Sequence, residues 1–187
     1  MPLADRGPSV TVRRARTADV RAIRDLVEPL ARRGVLVSKA AVAYYEGLQQ
    51  FFVAETPEGQ VAGCGALHVL WDDLAEVRTL AVAPDHLGKG VGSALLRALL
   101  DEAARLGVSR VFCLTFEVDF FARHGFSVIE GAPVDPDVYS QLLRSYDVGV
   151  AEFLDLDRVK PNTLGNTRML LTLDRCRTWD SGQPGSA

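Results

Sequence analysis

The chain is poor in cysteine, with three in 187 residues. Cys64, Cys113 and Cys176 are odd in number and widely spaced, which excludes a disulfide framework and leaves no metal-ligand pattern. Cys64 and Cys113 sit in apolar, strand-like runs and read, with His68, as structural residues. Reduced thiols suit the cytoplasm. An excess of positive charge is also missing, since 21 Lys and Arg stand against 24 Asp and Glu, a formal net charge of -3. Nucleic acid and acidic membrane surfaces are therefore poor partners, and a small molecule is the expected one. No stretch approaches the roughly 18 continuous apolar residues of a membrane span, and the N-terminus lacks the apolar core of a signal peptide. Internal repeats and low-complexity tracts are absent.

What is present suits one globular domain, with 48% hydrophobic and 24% charged residues. Residues 1–9 and 177–187 are rich in Pro, Gly and Ser and are expected to be disordered, which leaves 10–176 as the domain. Strand-like alternation covers 10–14, and Thr17 is placed to cap a helix carrying Val20, Ile23, Leu26, Val27 and Leu30 at helical spacing. A second helix is expected over 39–50. Strands over 51–55 and 61–69 flank Thr56-Pro57-Glu58-Gly59-Gln60, a hairpin turn, and a further strand covers 76–82. Leu95, Leu96, Leu99, Leu100, Ala103 and Leu106 trace one face of a helix that Gly107 ends. A buried strand follows over 110–115, then a short helix over 118–124 with His124 as its cap. Beyond Gly131 the pattern weakens, with helical hints at 139–144 and 152–156 and a last strand over 169–173. The alternation indicates an α/β domain.

The stretch PDHLGKGVGSAL, 84–95, sets Gly88, Gly90 and Gly92 between a strand and a helix. Small residues there let backbone N–H groups face an anion at the positive helix end, and a plain tight turn would use the same glycines. A Walker A loop is excluded because Gly90, not Ser or Thr, follows Lys89. The dinucleotide pattern needs GxGxxG and an acid after the next strand, and RVFCLT offers none.

The neighbours of this loop resolve which anion. AEVRTLAVAPDHLGKGVGSALL, 75–96, resembles the acetyl-CoA core of the GCN5-related N-acetyltransferase (GNAT) superfamily, and FFARHGF, 120–126, resembles its second landmark. The resemblance implies an α/β fold with a mixed, mostly antiparallel sheet flanked by helices and a V-shaped splay of strands at the acetyl-CoA site. It implies acetyl-CoA as co-substrate, no metal, and contacts from Leu80, Ala81, Val82, Leu87, Gly88, Lys89, Gly90, Val91, Gly92, Ser93 and Phe121. Leu87 stands where the family carries Arg or Gln, so the cradle rests on backbone amides. Phe121 stands where many members carry a Tyr that protonates departing coenzyme A. A thiolate, with a thiol pKa of roughly 8.5, can leave without it.

Five blocks in order, LVSKAAVAYYEGLQQFFVAE, GCGAL, AEVRTLAVAPD, VFCLTFEVDFFARHGF and NTRMLL, resemble the acetyltransferase module of N-acetylglutamate synthases, in a short, stand-alone version. This implies acetylation of the α-amine of glutamate, the first step of arginine biosynthesis, by direct attack in a ternary complex. The resemblance makes Glu76 the general base and assigns the oxyanion donor to the Leu80 N–H. Lys39, Arg78, Thr115, Glu117, Asn166 and Arg168 are the acceptor-site candidates. Glutamate needs cations for its carboxylates, and Glu117, where the synthases tend toward Arg, leaves glutamine open as acceptor. Other amines and a non-catalytic acyl-CoA sensor are the competing expectations, and a homodimer is left open.

Overall fold

The computed structural model describes residues 10–37, 39–159 and 165–173. The expectations for the two termini and for Cys176 lie outside these. Seven strands, β1 (Thr11–Arg14), β2 (Phe51–Glu55), β3 (Val61–Trp71), β4 (Leu74–Val82), β5 (Arg110–Thr115), β6 (Ser127–Val128) and β7 (Thr167–Thr172), form one sheet ordered β1-β2-β3-β4-β5-β7-β6. Every neighbouring pair is antiparallel except β4 and β5. The helices are α1 (Val20–Arg32), α2 (Ala41–Glu46), α3 (Val91–Arg105), α4 (Val118–Arg123), α5 (Pro136–Leu142) and α6 (Val148–Phe153). This is the mixed, mostly antiparallel α/β sheet that the sequence led us to expect.

Side chains alternate across the sheet, and each face has its own cover. On one face α3 and α4 pack Leu96, Leu99 and Phe121 against Leu67, Val77, Val111 and Met169. On the other, α1 and α2 bring Val20, Ile23 and Tyr44 onto Val53, Cys64 and Ala66. Farther along that face, α5 and α6 bring Leu142, Val150 and Phe153 onto Leu74 and Phe112. Burial of each such large side chain contributes roughly 1.5–3 kcal/mol. The two helix pairs flank a cleft over β4, with α6 reaching in as far as Glu76 and Arg78. No helix among the described residues is long and apolar enough to cross a membrane.

Local differences from the sequence have physical causes. Thr17 does not cap α1, because Thr17–Asp19 is itself a 3-10 turn whose Asp19 carboxylate accepts from the Arg16 N–H at 2.7 Å. The helix expected over 39–50 is broken by Gly47 into α2 and a 3-10 turn at Leu48–Gln50. Leu106 is nearly half exposed, since α3 ends there in a Schellman turn in which the Val108 N–H reaches Ala103 O at 2.9 Å and Gly107 takes φ 84°. α5 and α6 lie earlier than the hints at 139–144 and 152–156. β7 likewise starts and ends before the expected 169–173. The two-residue β6 carries too little sequence to be anticipated.

Candidate active site

β4 builds the site. Cys64 of β3 pairs with Ala81 and Ala66 with Arg78, so Thr79 and Leu80 together oppose Gly65 in a β-bulge. Thr79 takes φ 58°, a left-handed conformation that costs a β-branched residue of order 1–3 kcal/mol. The buried Cys64 thiol donates to the Thr79 carbonyl at 3.7 Å, and burial pushes that thiol up to about 12, so it stays protonated. The parallel β4–β5 ladder runs only from Leu74 to Glu76 against Arg110 to Phe112. Past that point β4 continues to Val82 and β5 to Thr115 without pairing to each other, which is the expected V.

At the open end of the V, β4 leads through the 3-10 turn Pro84–His86 into the glycine loop. Gly88 and Gly90 take φ 71° and 77°, and Gly90 is the residue from which α3 starts. The first bond at this end runs from the Ala94 N–H to Gly90 O at 3.0 Å, so the N–H groups of Val91, Gly92 and Ser93 have no acceptor within the helix. A Cβ on Gly88 would meet nothing within 4 Å, which is the open approach a phosphate needs. Leu87 and Lys89 are exposed beside it. Phe121 lies in the core rather than at the loop, only 5% exposed and edge-on to Phe126 at 5.2 Å between ring centroids. The ring that reaches the loop is Phe120, 3.5 Å from where a Gly92 Cβ would stand. The substitution of a phenol by Phe121 was visible in sequence; the approach of its neighbour was not.

Between α2 and α6, over the splay, lies a cavity of about 740 Å³. Its charged lining is Lys39, Glu46, Glu76, Arg78, Asp147 and Glu152, four acids to two cations. Glu76 and Arg78 share a face of β4, as their parity predicts, and Arg78 donates from Nε (3.0 Å) and Nη2 (2.7 Å) to Glu76 Oε2. Arg78 also donates from Nη1 (3.2 Å) and Nη2 (3.0 Å) to the two carboxylate oxygens of Asp147. Asp147 caps α6 by accepting from the Val150 N–H at 3.0 Å. Burial works against its charge, but the Arg78 hydrogen bonds and charge hold it down at about 2. Burial pushes Glu76 upward against the pull of Arg78. His68 Nδ1 lies 3.1 Å from Gln50 Oε1 and Nε2 lies 3.8 Å from Asp147 Oδ2. Among the described residues Lys39 makes no ion pair, and burial, then the Arg78 charge, lowers its pKa.

The remaining acceptor candidates divide. Lys39, Arg78 and Asn166 line the cavity. Thr115 and Glu117 do not; the Thr115 hydroxyl accepts from the Glu117 N–H at 2.8 Å at the start of α4. Arg168 lies on the same sheet face but under α6, where Nη1 donates to Glu152 O (2.6 Å) and Nη2 to Gly131 O (2.9 Å) and to Phe153 O. Asp147, Gly149 and Glu152 were not singled out in sequence, although Asp147 ahead of Val148, Val150 and Phe153 is an N-cap signal. Among the described residues no group of His, Cys, Asp and Glu is arranged to hold a metal ion.

Comparison with known proteins fits this geometry. Residues 22–126 match the Acetyltransferase (GNAT) family. An amino-acid acetyltransferase of Mycobacterium tuberculosis is 58% identical over 164 residues, covering 87% of this chain and 94% of that protein. A crystal structure from M. tuberculosis in complex with CoA and NLQ superposes with a TM-score of 0.85 at 57% identity, covering 88% of this chain and 99% of that one. N-acetylglutamate synthase from Neisseria gonorrhoeae, complexed with coenzyme A and N-acetyl-glutamate, shares the fold at 24% identity and a TM-score of 0.71, over 89% of this chain and 35% of that one.

Proposed function

The chain belongs to the acetyltransferase (GNAT) family, and we propose that it transfers the acetyl group of acetyl-CoA to the α-amine of L-glutamate, which would be the first step of arginine biosynthesis. The observation that carries this is the charged cleft beside the β4–β5 splay, next to a helix N-terminus with free amides. Both reactants are thereby brought to one strand, β4. The pyrophosphate of acetyl-CoA rests on the N–H groups from Gly88 to Ser93, and the thioester lies along Leu80, Ala81 and Val82. The Leu80 N–H in the bulge donates to the developing oxyanion. Lys39 receives the acceptor's α-carboxylate, and Asn166 borders its side chain. One of the cleft's carboxylates takes the amine's proton; the sequence pointed to Glu76, and Glu152 stands beside it.

One observation favours glutamine as the acceptor instead. Four acids surround two cations, and Arg78 is already shared between Glu76 and Asp147. That leaves Lys39 alone for two substrate carboxylates, whereas glutamine brings one. Thiol release from acetyl-CoA, measured over a panel of amino acids and simple amines, separates the readings. Release with glutamate or glutamine is expected. Release confined to polyamines or peptide N-termini would overturn the amino-acid acceptor, and tight coenzyme A binding without release under any amine would leave a sensor.

A further inference from the structure

Glu152 occupies the last turn of α6, lines the cavity and is only 7% exposed. Its Oε1 has no hydrogen-bond partner among the described residues. A buried carboxylate oxygen without a partner carries a desolvation cost of roughly 1–3 kcal/mol or more, so a donor that arrives with the substrate explains its retention. The charges acting on it come from Glu76 and Arg78 on β4, Lys39 ahead of α2, and Asp147 at the start of its own helix. Arg78 is already bonded to Glu76 and Asp147. The group that Glu152 lacks is therefore a small cation with N–H donors, and the ammonium of an amino acid is one.

The two neighbouring carboxyls are not equally available. Glu76 Oε2 accepts twice from Arg78, and α6 lies directly over it, since a Cβ on Gly149 would fall 2.3 Å away. Burial raises Glu76 as well, but the bonded guanidinium opposes that rise and occupies Oε2, the oxygen that would take a proton. Among the described residues Glu152 has no such partner. Burial, then the Glu76 charge, raises it to about 7, where a base serves best in a reaction run near neutrality.

We propose that Glu152 binds the acceptor's α-ammonium and removes one proton from it, while Glu76 holds Arg78 in position; this rests on the acetyl-transfer reading above. The ammonium gives one proton to the Glu152 carboxylate and becomes a free amine. Its lone pair forms the C–N bond at the thioester carbonyl, and the C–S bond breaks as the thiolate leaves. The nitrogen's surplus proton goes to that thiolate, and the Glu152 carboxyl releases its own to solvent before the next turnover.

Glu152→Gln keeps shape and removes the proton acceptor. At pH 7 its kcat/KM for the amino acid is expected to fall by about 10²–10⁴, with the KM for acetyl-CoA little changed. Raising the pH should restore activity by about tenfold per unit while the acceptor remains mostly ammonium. Without turnover, equilibrium binding of the amino acid to the coenzyme A-loaded variant should weaken about tenfold or more, the loss of one charge-assisted hydrogen bond. Glu76→Gln should instead keep an acid limb, displaced to lower pH because the Glu76 charge that raises Glu152 is gone. A Glu152→Gln protein with an unchanged acid limb, or one whose loss is independent of pH, would overturn the proposal, as would transfer of that behaviour to Glu76→Gln. Wild-type protein that releases no thiol with any amino acid would instead overturn the acetyl-transfer reading itself.

Discussion

At the scale of single residues, Gly149 sets the tightest tolerance in the cleft. A Cβ there would lie 2.3 Å from Glu76 Oε2 and 2.4 Å from Arg78 Nη2, well inside van der Waals contact. Gly149→Ala must therefore push α6 off β4 or break the Glu76–Arg78 pair. Overpacking of this kind costs typically 1–3 kcal/mol. The substitution is expected to lower Tm and to cut kcat/KM for the amino acid at least tenfold, while acetyl-CoA binding, proposed at the glycine loop, changes little. Steady-state kinetics with each substrate varied in turn decides it, and equal losses for both would mean that the cleft and the loop are not separate. Nothing in the sequence marks this glycine, because its φ is ordinary and the atoms it must clear come from a strand far earlier in the chain.

At the scale of elements, two short pieces carry the site, and both are held from outside. The α3 start needs Gly90 in a left-handed conformation at φ 77°, whereas Leu87 is 64% exposed and contributes a side chain that nothing requires. Gly90→Val should thus weaken acetyl-CoA binding by at least tenfold, and Leu87→Ala by less than threefold, on the basis of strain of order 1–3 kcal/mol for the first; calorimetric titration with coenzyme A separates them. A six-residue helix such as α6 is not stable alone. Asp147 holds its start, and Arg168 holds its end by donating to Glu152 O and Phe153 O with its guanidinium 5.1 Å over the Phe112 ring. Arg168→Ala is expected to destabilise the protein by about 2 kcal/mol or more and to raise the KM of the amino acid far more than that of acetyl-CoA. It does so by freeing α6, not by losing a substrate contact, so Tm and KM should move together. The glycine loop, the strand spacing and the Glu76–Arg78 parity were legible in sequence because each depends on local periodicity or turn chemistry. The α6 cover was not, because its residues meet β4 only once the sheet is folded, and the bonds from Arg168 to its last turn depend on the same long-range packing.

For the molecule as a whole, paired and unpaired carboxyls pull stability in opposite directions with pH. Asp19, Glu102 and Asp147 lie below their ordinary range, Asp19 through its bond from Arg13, Glu102 through its bond from Arg105, and Asp147 through Arg78 despite burial. A depressed pKa contributes stability that is present above the unfolded value, roughly 4, and lost as pH falls through the folded one. Glu152 has the opposite sign: with a folded pKa of about 7, its contribution is complete below the unfolded value of roughly 4.3 and is lost as pH rises to 7. These groups place the stability maximum on the acid side of neutrality. Glu152→Gln removes only the second effect. Its Tm should track that of the wild type near pH 4, rise above it progressively toward pH 7, and stay a constant interval above it at higher pH. Thermal melts from pH 4 to 9 test this, and a gap that does not change across that range would show that Glu152 titrates like an ordinary surface carboxyl. A variant that is more stable and less active is the expected signature of a charge the fold retains for its substrate, since a residue kept for packing alone would lose both together.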